Sequence, residues 1–138
     1  MTDRVRDAMV PDPPTLSADT PAREAGELLA RPEVRAVYVC EEGQLIGVVT
    51  RGTLVRDIVA AGRDPGTSVG EIAEPPRHAI DPELPLDEAF RFLEEADVER
   101  APVLDGDRLV GVLSRSGLQR RLAEDEPPDL DEDPGSVY

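Results

Sequence analysis

The sequence predicts an α/β (α+β) protein built from two copies of one β-α-β-β-α unit, and three observations carry that prediction. The chain aligns with itself, without a gap, at an offset of 64 positions: Val5 meets Val69, Pro21 meets Pro85, Leu29 meets Leu93, Gly47 meets Gly111, Val48 meets Val112 and Arg51 meets Arg115. Each copy holds one segment with apolar residues at helical spacing. Each also holds two β-branched runs separated by a Gly-containing turn. A repeat of this kind implies two similar units with two comparable clefts.

Each copy opens with a short amphipathic stretch, Asp3 to Met9 or Val69 to Ala73, which runs into a Pro-rich bend, PDPP or EPPR. A brief extended segment follows, Thr15-Leu16 or Ala79-Ile80. Pro21 and Pro85 then stand where a helix begins, because a missing N–H costs nothing there and the fixed φ is already helical. Thr20 can cap the first helix, whereas Leu84 cannot cap the second.

The helices PAREAGELLAR and PLDEAFRFLEEA place Ala25, Leu28 and Leu29, or Leu86, Ala89, Phe90 and Leu93, on one stripe facing a core. VRAVYV and ERAPVL read as strands, turned at Glu42-Gly43 and Asp105-Gly106 into second strands, QLIGVVT and RLVGVLS. A last helix closes each copy, Arg51 to Ala61 and Arg115 to Glu124. Gly62 stops the first of these. The resulting boundaries are 1–62 for the first unit, 63–68 for a linker, 69–123 for the second unit and 124–138 for a tail.

The tail has seven acidic residues, three prolines and no basic residue, the composition of a disordered segment. Asp129, Asp131 and Asp133 alternate as in a calcium loop, but Pro134 stands where such a loop needs Gly, so the run reads as solvated charge.

The formal charge of −15 argues against nucleic acid as a partner. No stretch is apolar enough to span a membrane and the start lacks a signal core, which predicts a soluble, cytoplasmic protein. Cys40 is the single cysteine and His78 the single histidine, so neither a disulfide within the chain nor a Cys/His metal cage is expected. Cys40 reads as a small buried residue at a strand end. No acid/base pair or nucleophile constellation emerges, which predicts a non-enzyme.

The order strand, helix, hairpin, helix, together with GVVTRGTL and GVLSRSGL at the hairpin-to-helix junctions, resembles the cystathionine β-synthase (CBS) domain. The Val5-Arg6-Asp7-Ala8-Met9 opening, the Pro21 and Pro85 helix starts and the Arg100-Ala101-Pro102-Val103 strand fit the same pattern, so the chain resembles a tandem CBS pair, or Bateman module, from about Val5 to Leu122. The resemblance implies two motifs packed with pseudo-twofold symmetry in a regulatory module. It also implies adenosine-containing ligands (AMP, ADP, ATP or S-adenosylmethionine, with Mg as a possible companion), a homodimer, and an effector protein regulated in trans.

It assigns Thr15, Leu16, Val37 and Tyr38 to one adenine slot and Ala79, Ile80, Ala101 and Pro102 to the other. Thr50 and Ser114 offer hydroxyls at helix starts, where free N–H groups favour phosphate, and both also suit simple N-caps. Arg51, Arg115, Arg77 and His78 could neutralise phosphate, with Arg77 and His78 expected beside the second cleft. His78 fits equally well as an exposed loop residue. The family's pattern sets an Asp, acceptor for the ribose hydroxyls, where this chain has Thr53 and Gly117. Neither side chain is a charged acceptor, which weakens the expected ribose contact and leaves open a pair that has lost nucleotides and acts as a dimeric interaction module.

Overall fold

A computed structural model describes residues 3–125. The first repeat comprises α1 (Val5–Ala8), β1 (Val10–Pro11), β2 (Thr15–Leu16), α2 (Ala22–Leu29), β3 (Val37–Glu41), β4 (Gln44–Val49) and α3 (Arg51–Leu54), which runs on as a π-helical stretch, Val55–Ala60. The second comprises α4 (Val69–Ile72), α5 (Leu86–Ala96), β5 (Arg100–Asp105), β6 (Arg108–Ser114) and α6 (Arg115–Asp125). Most of the predicted tail lies outside the described residues, and α6 takes in its first two positions. Among the described residues, no helix is long and apolar enough to cross a membrane.

The strands join in one sheet whose path runs β1-β6-β4-β3-β2, with β5 on the other side of β6. Both hairpins are antiparallel, β3 with β4 and β5 with β6. The first turns at Glu42 and Gly43, with φ of 53° and 84°, the pair of left-handed residues that a tight hairpin requires. The second turns at Gly106 and Asp107, one residue later than the sequence reading places it, because Asp105 still pairs with Arg108.

The offset of 64 recurs in the bonding. Leu45 N–H donates to Asp107 O, and Leu109 N–H donates to Gly43 O, so the hairpin tips exchange hydrogen bonds about a pseudo-axis at Gln44 and Arg108. Each repeat also lends its opening helix to the other. Val5 N–H donates to Leu84 O, and Val69 N–H to Thr20 O.

The cores follow that exchange. Val5 is buried with Leu86, Ala89, Leu93, Ala101, Val103, Leu113 and Leu118 of the second repeat. Val69 and Ile72 are buried with Ala22, Ala25, Leu29, Val37, Val39 and Val49 of the first. The helix faces predicted from spacing are thus the faces that pack.

Helix entry differs in one respect. Pro21 and Pro85 occupy the N-cap rather than the first turn, with ψ near 145°, and no side chain caps either helix. Thr20 instead lies 3.1 Å from the Ser17 hydroxyl. The free amides are met by the segment preceding the exchanged helix: Ala22 N–H donates to Thr67 O and Leu86 N–H to Asp3 O.

Candidate functional site

Side chains alternate across a strand, so β3 and β5 each present one set to a core and the other to the opposite face. Val37 and Val39, and likewise Ala101 and Val103, belong to the cores. Tyr38 and Pro102 point the other way, into a cleft of about 570 Å³ shared by the two repeats. Val37 and Ala101, expected in the adenine slots beside Tyr38 and Pro102, therefore lie behind the cleft wall, since adjacent strand residues cannot both face one side. Ile80 is also a core residue, paired in parallel with Val103 and 3 % exposed.

The cleft brings together Tyr38, Thr50, Arg51, Arg77 and Pro102 from the expected set. Arg77 was expected next to Ser114; the structure sets it in the Thr50 cleft instead. The cause is the exchange of opening helices: after α4 the chain crosses to β4, where Val48 N–H donates to Glu74 O at 2.8 Å and Glu74 N–H donates to Val48 O at 2.9 Å. This crossing needs Gly47, because a Cβ there would stand 2.6 Å from Ala73 Cβ and 3.1 Å from Glu74 O.

Sequence reasoning missed Arg35, Arg100, Glu74 and Glu99, all on the same cleft. Strand alternation could have found Arg100, two positions before Pro102; nothing local marks Glu74. The side chains of Arg35, Arg77 and Arg100 make no hydrogen bond or salt bridge within 4 Å among the described residues, although acids outnumber arginines thirty to fifteen in the chain, and Arg100 acts on Glu99 only through a longer-range attraction. Arg51 is partly engaged, donating to Arg31 O at 2.8 Å.

At the floor, Thr50 and Thr53 cap each other. Thr50 N–H donates to Thr53 Oγ1 at 3.0 Å, and Thr53 N–H donates to Thr50 Oγ1 at 3.3 Å. Thr53 is fully buried, and its hydroxyl donates to Glu74 Oε2 at 2.7 Å. Arg56, one turn on, lies 3.3 Å from the same oxygen. The Thr53 hydroxyl holds the Glu74 carboxyl below the usual glutamate range, opposed by burial and helped by Arg56.

A second cleft of about 280 Å³ is the pseudo-symmetric counterpart, lined by Val10, Pro13, Val112 and Ser114, with Arg35, Tyr38 and Arg100 in the wall between the two. Here Val10 occupies the Glu74 position and Pro13 the Arg77 position. Gly117 N–H donates to Ser114 Oγ at 3.1 Å, so Ser114 is the cap the sequence suggested. Arg115 is turned to Asp97 and Glu99, at 3.5 and 3.9 Å.

The other expected site residues lie elsewhere. Thr15 and Leu16 line a separate depression of about 430 Å³ with Cys40. Cys40 is half-buried rather than fully buried, and burial and then Glu41 raise its thiol pKa. Ala79 and Ile80 line another depression, of about 300 Å³, with Phe92. His78 is exposed, with φ of 59° and its ring edge-on to Phe92 at 5.9 Å.

Comparison with known proteins agrees with this architecture. The CBS domain family model matches twice, over residues 5–60 and 69–124. The CBS domain-containing protein YhcV of Bacillus subtilis is 29 % identical over 114 residues, covering 83 % of this chain and 81 % of that protein. Hypoxic response protein 1 of Mycobacterium tuberculosis is 30 % identical over 102 residues, covering 72 % and 71 %. A crystal structure of CBSX2 in complex with AMP superposes with a TM-score of 0.72 at 26 % identity, covering 88 % of this chain and 97 % of that one. With the motif matched twice and the two copies interlocked through their opening helices, the chain belongs to the CBS-domain family as a tandem pair.

Proposed function

We propose that this chain is a non-catalytic sensory module that binds an adenosine-containing ligand, AMP, ADP, ATP or S-adenosylmethionine, in the Thr50 cleft and regulates a partner protein in trans. One observation carries the reading: Arg35, Arg77 and Arg100 converge on a single cleft of a strongly acidic chain, none of them held in a salt bridge within 4 Å among the described residues. Guanidinium groups so gathered suit a phosphate, each through a planar fork of donors. The apolar cleft walls, Tyr38, Val48 and Pro102, offer flat surface to a base. The AMP complex of the CBSX2 neighbour supports the choice of adenosine. A homodimer in the cytoplasm acting on a separate effector completes the reading.

A second reading, an interaction module without nucleotide, is favoured by the apolar residues Val55 and Val59 on the π-helical stretch, 59 % and 73 % exposed. A thermal-shift screen against the four ligands, with and without Mg, separates the two. At a hundredfold the dissociation constant, a bound ligand adds about 2.7 kcal/mol, which raises the midpoint by several degrees. A flat response from protein shown by mass spectrometry to carry no co-purified nucleotide overturns the first reading and leaves the second.

A further inference from the structure

We infer that Glu74, delivered into the first repeat's cleft by the second repeat, is the residue that receives a ligand's vicinal hydroxyls, and that only the Thr50 cleft can do so. The inference rests on the nucleotide reading above and names the selecting group.

Four features support it. Glu74 lines the cleft, and its backbone is fixed by the reciprocal hydrogen bonds with Val48, so its position does not depend on a ligand. Its Oε2 is occupied by the Thr53 hydroxyl and Arg56, whereas its Oε1 has no partner among the described residues. That leaves an ionised oxygen with open lone pairs on a residue that lines the cleft, an acceptor for hydroxyl groups. The other carboxylate of the cleft, Glu99, is drawn to the start of α6: its Oε2 accepts from the Ser116 hydroxyl at 2.8 Å and the Ser116 amide at 3.4 Å, and Arg115 Nε lies 3.9 Å from its Oε1.

The smaller cleft shows what removing these features leaves. Val10 and Gly117 stand at the positions of Glu74 and Thr53, and Pro13 stands at that of Arg77. It keeps the shared arginines Arg35 and Arg100, but Glu33, at its rim, replaces the Glu74 acceptor at no equivalent position. A ligand carrying both an anion and a diol is therefore read in one cleft and not in its counterpart.

The test compares AMP with 2′,3′-dideoxy-AMP by calorimetry on the full chain and on Glu74→Gln. In the unsubstituted protein the dideoxy analogue binds ten- to a hundredfold more weakly, the value of losing hydrogen bonds to a charged acceptor. In Glu74→Gln, AMP falls towards the analogue's affinity and the analogue itself changes little. Glu74→Asp, which keeps the charge on a side chain one methylene shorter, gives an intermediate ratio. AMP binding that discriminates against the analogue equally well in Glu74→Gln overturns the Glu74 assignment alone, as does an unsubstituted protein indifferent to the two ligands. Failure of AMP, ADP, ATP and S-adenosylmethionine all to bind the unsubstituted protein overturns the nucleotide reading, and this inference with it.

Discussion

Gly47→Ala tests the crossing that builds the cleft. The added Cβ would meet Ala73 Cβ at 2.6 Å, Glu74 O at 3.1 Å and the Ala73 carbonyl carbon at 3.4 Å. Carbon atoms settle at about 3.5 to 4.0 Å, so the segment after α4 must retreat by roughly 1 Å or β4 must buckle. A retreat of that size takes the Val48–Glu74 hydrogen bonds, at 2.8 and 2.9 Å, beyond bonding range. The protein adopts the cheaper of strain, about 1 to 3 kcal/mol, and two weakened backbone bonds at about 0.5 to 1.5 kcal/mol each. Either route costs about 2 kcal/mol. At this chain length, that lowers the unfolding midpoint by roughly 5 to 10 °C, followed by circular dichroism. A Gly47→Ala protein melting within about 1 °C of the parent would refute the close approach, and with it the reason Glu74 reaches the cleft.

Gly26→Ala should do the opposite, raising stability by about 0.5 to 1 kcal/mol, because it fills a helical position whose nearest neighbour, Leu54 Cδ1, is 3.7 Å away; a lower midpoint argues against that space. Thr53→Val removes the acceptor for Thr50 N–H and the donor to Glu74, and should cost about 1 to 3 kcal/mol in chemical denaturation; an unchanged midpoint denies the Thr50–Thr53 cap. Glu74 and Glu99 are both held below the usual glutamate range, chiefly by the Thr53 and Ser116 hydroxyls. A carboxyl lowered on folding stabilises above its unfolded value, about 4.3, and the gain disappears as pH falls through the folded value. The midpoint should therefore decline below about pH 4, modestly because both side chains are nearly half exposed, and Glu74→Gln should flatten the decline; identical slopes sink the linkage. Cys40, its thiol raised by burial and Glu41, should react with iodoacetamide at pH 7.5 more slowly than free cysteine, and a faster reaction would contradict its surroundings.

The offset of 64 was enough to place most elements, since helical stripes such as Leu86, Ala89 and Leu93 and the Gly43 turn report local requirements that tertiary packing then respected. Thr50 and Ser114 were legible as caps for the same reason. Partner choice was not legible. Two similar repeats set apolar residues at matching positions, so spacing alone cannot tell whether Val5 covers its own core or its neighbour's. That one ambiguity moved Arg77 to the other cleft and hid Glu74. Val37 and Ala101 leave the adenine slots for a different reason: the resemblance implies adjacent strand residues in one slot, whereas strand alternation turns one of each pair into a core. The π-helical stretch from Val55 to Ala60 has no proline, glycine or other local signature that would have announced it.

The exchange of Val5 and Val69 also bears on what a fragment of this protein can be. Cleaving the chain between the repeats yields pieces that each retain a hairpin and two helices, yet each carries the wrong plug for its own hole. Neither piece is a domain in the folding sense; a lone half can close its core only by borrowing from another molecule. The indivisible unit is the interlocked pair, which should melt as one transition however similar its halves look on paper.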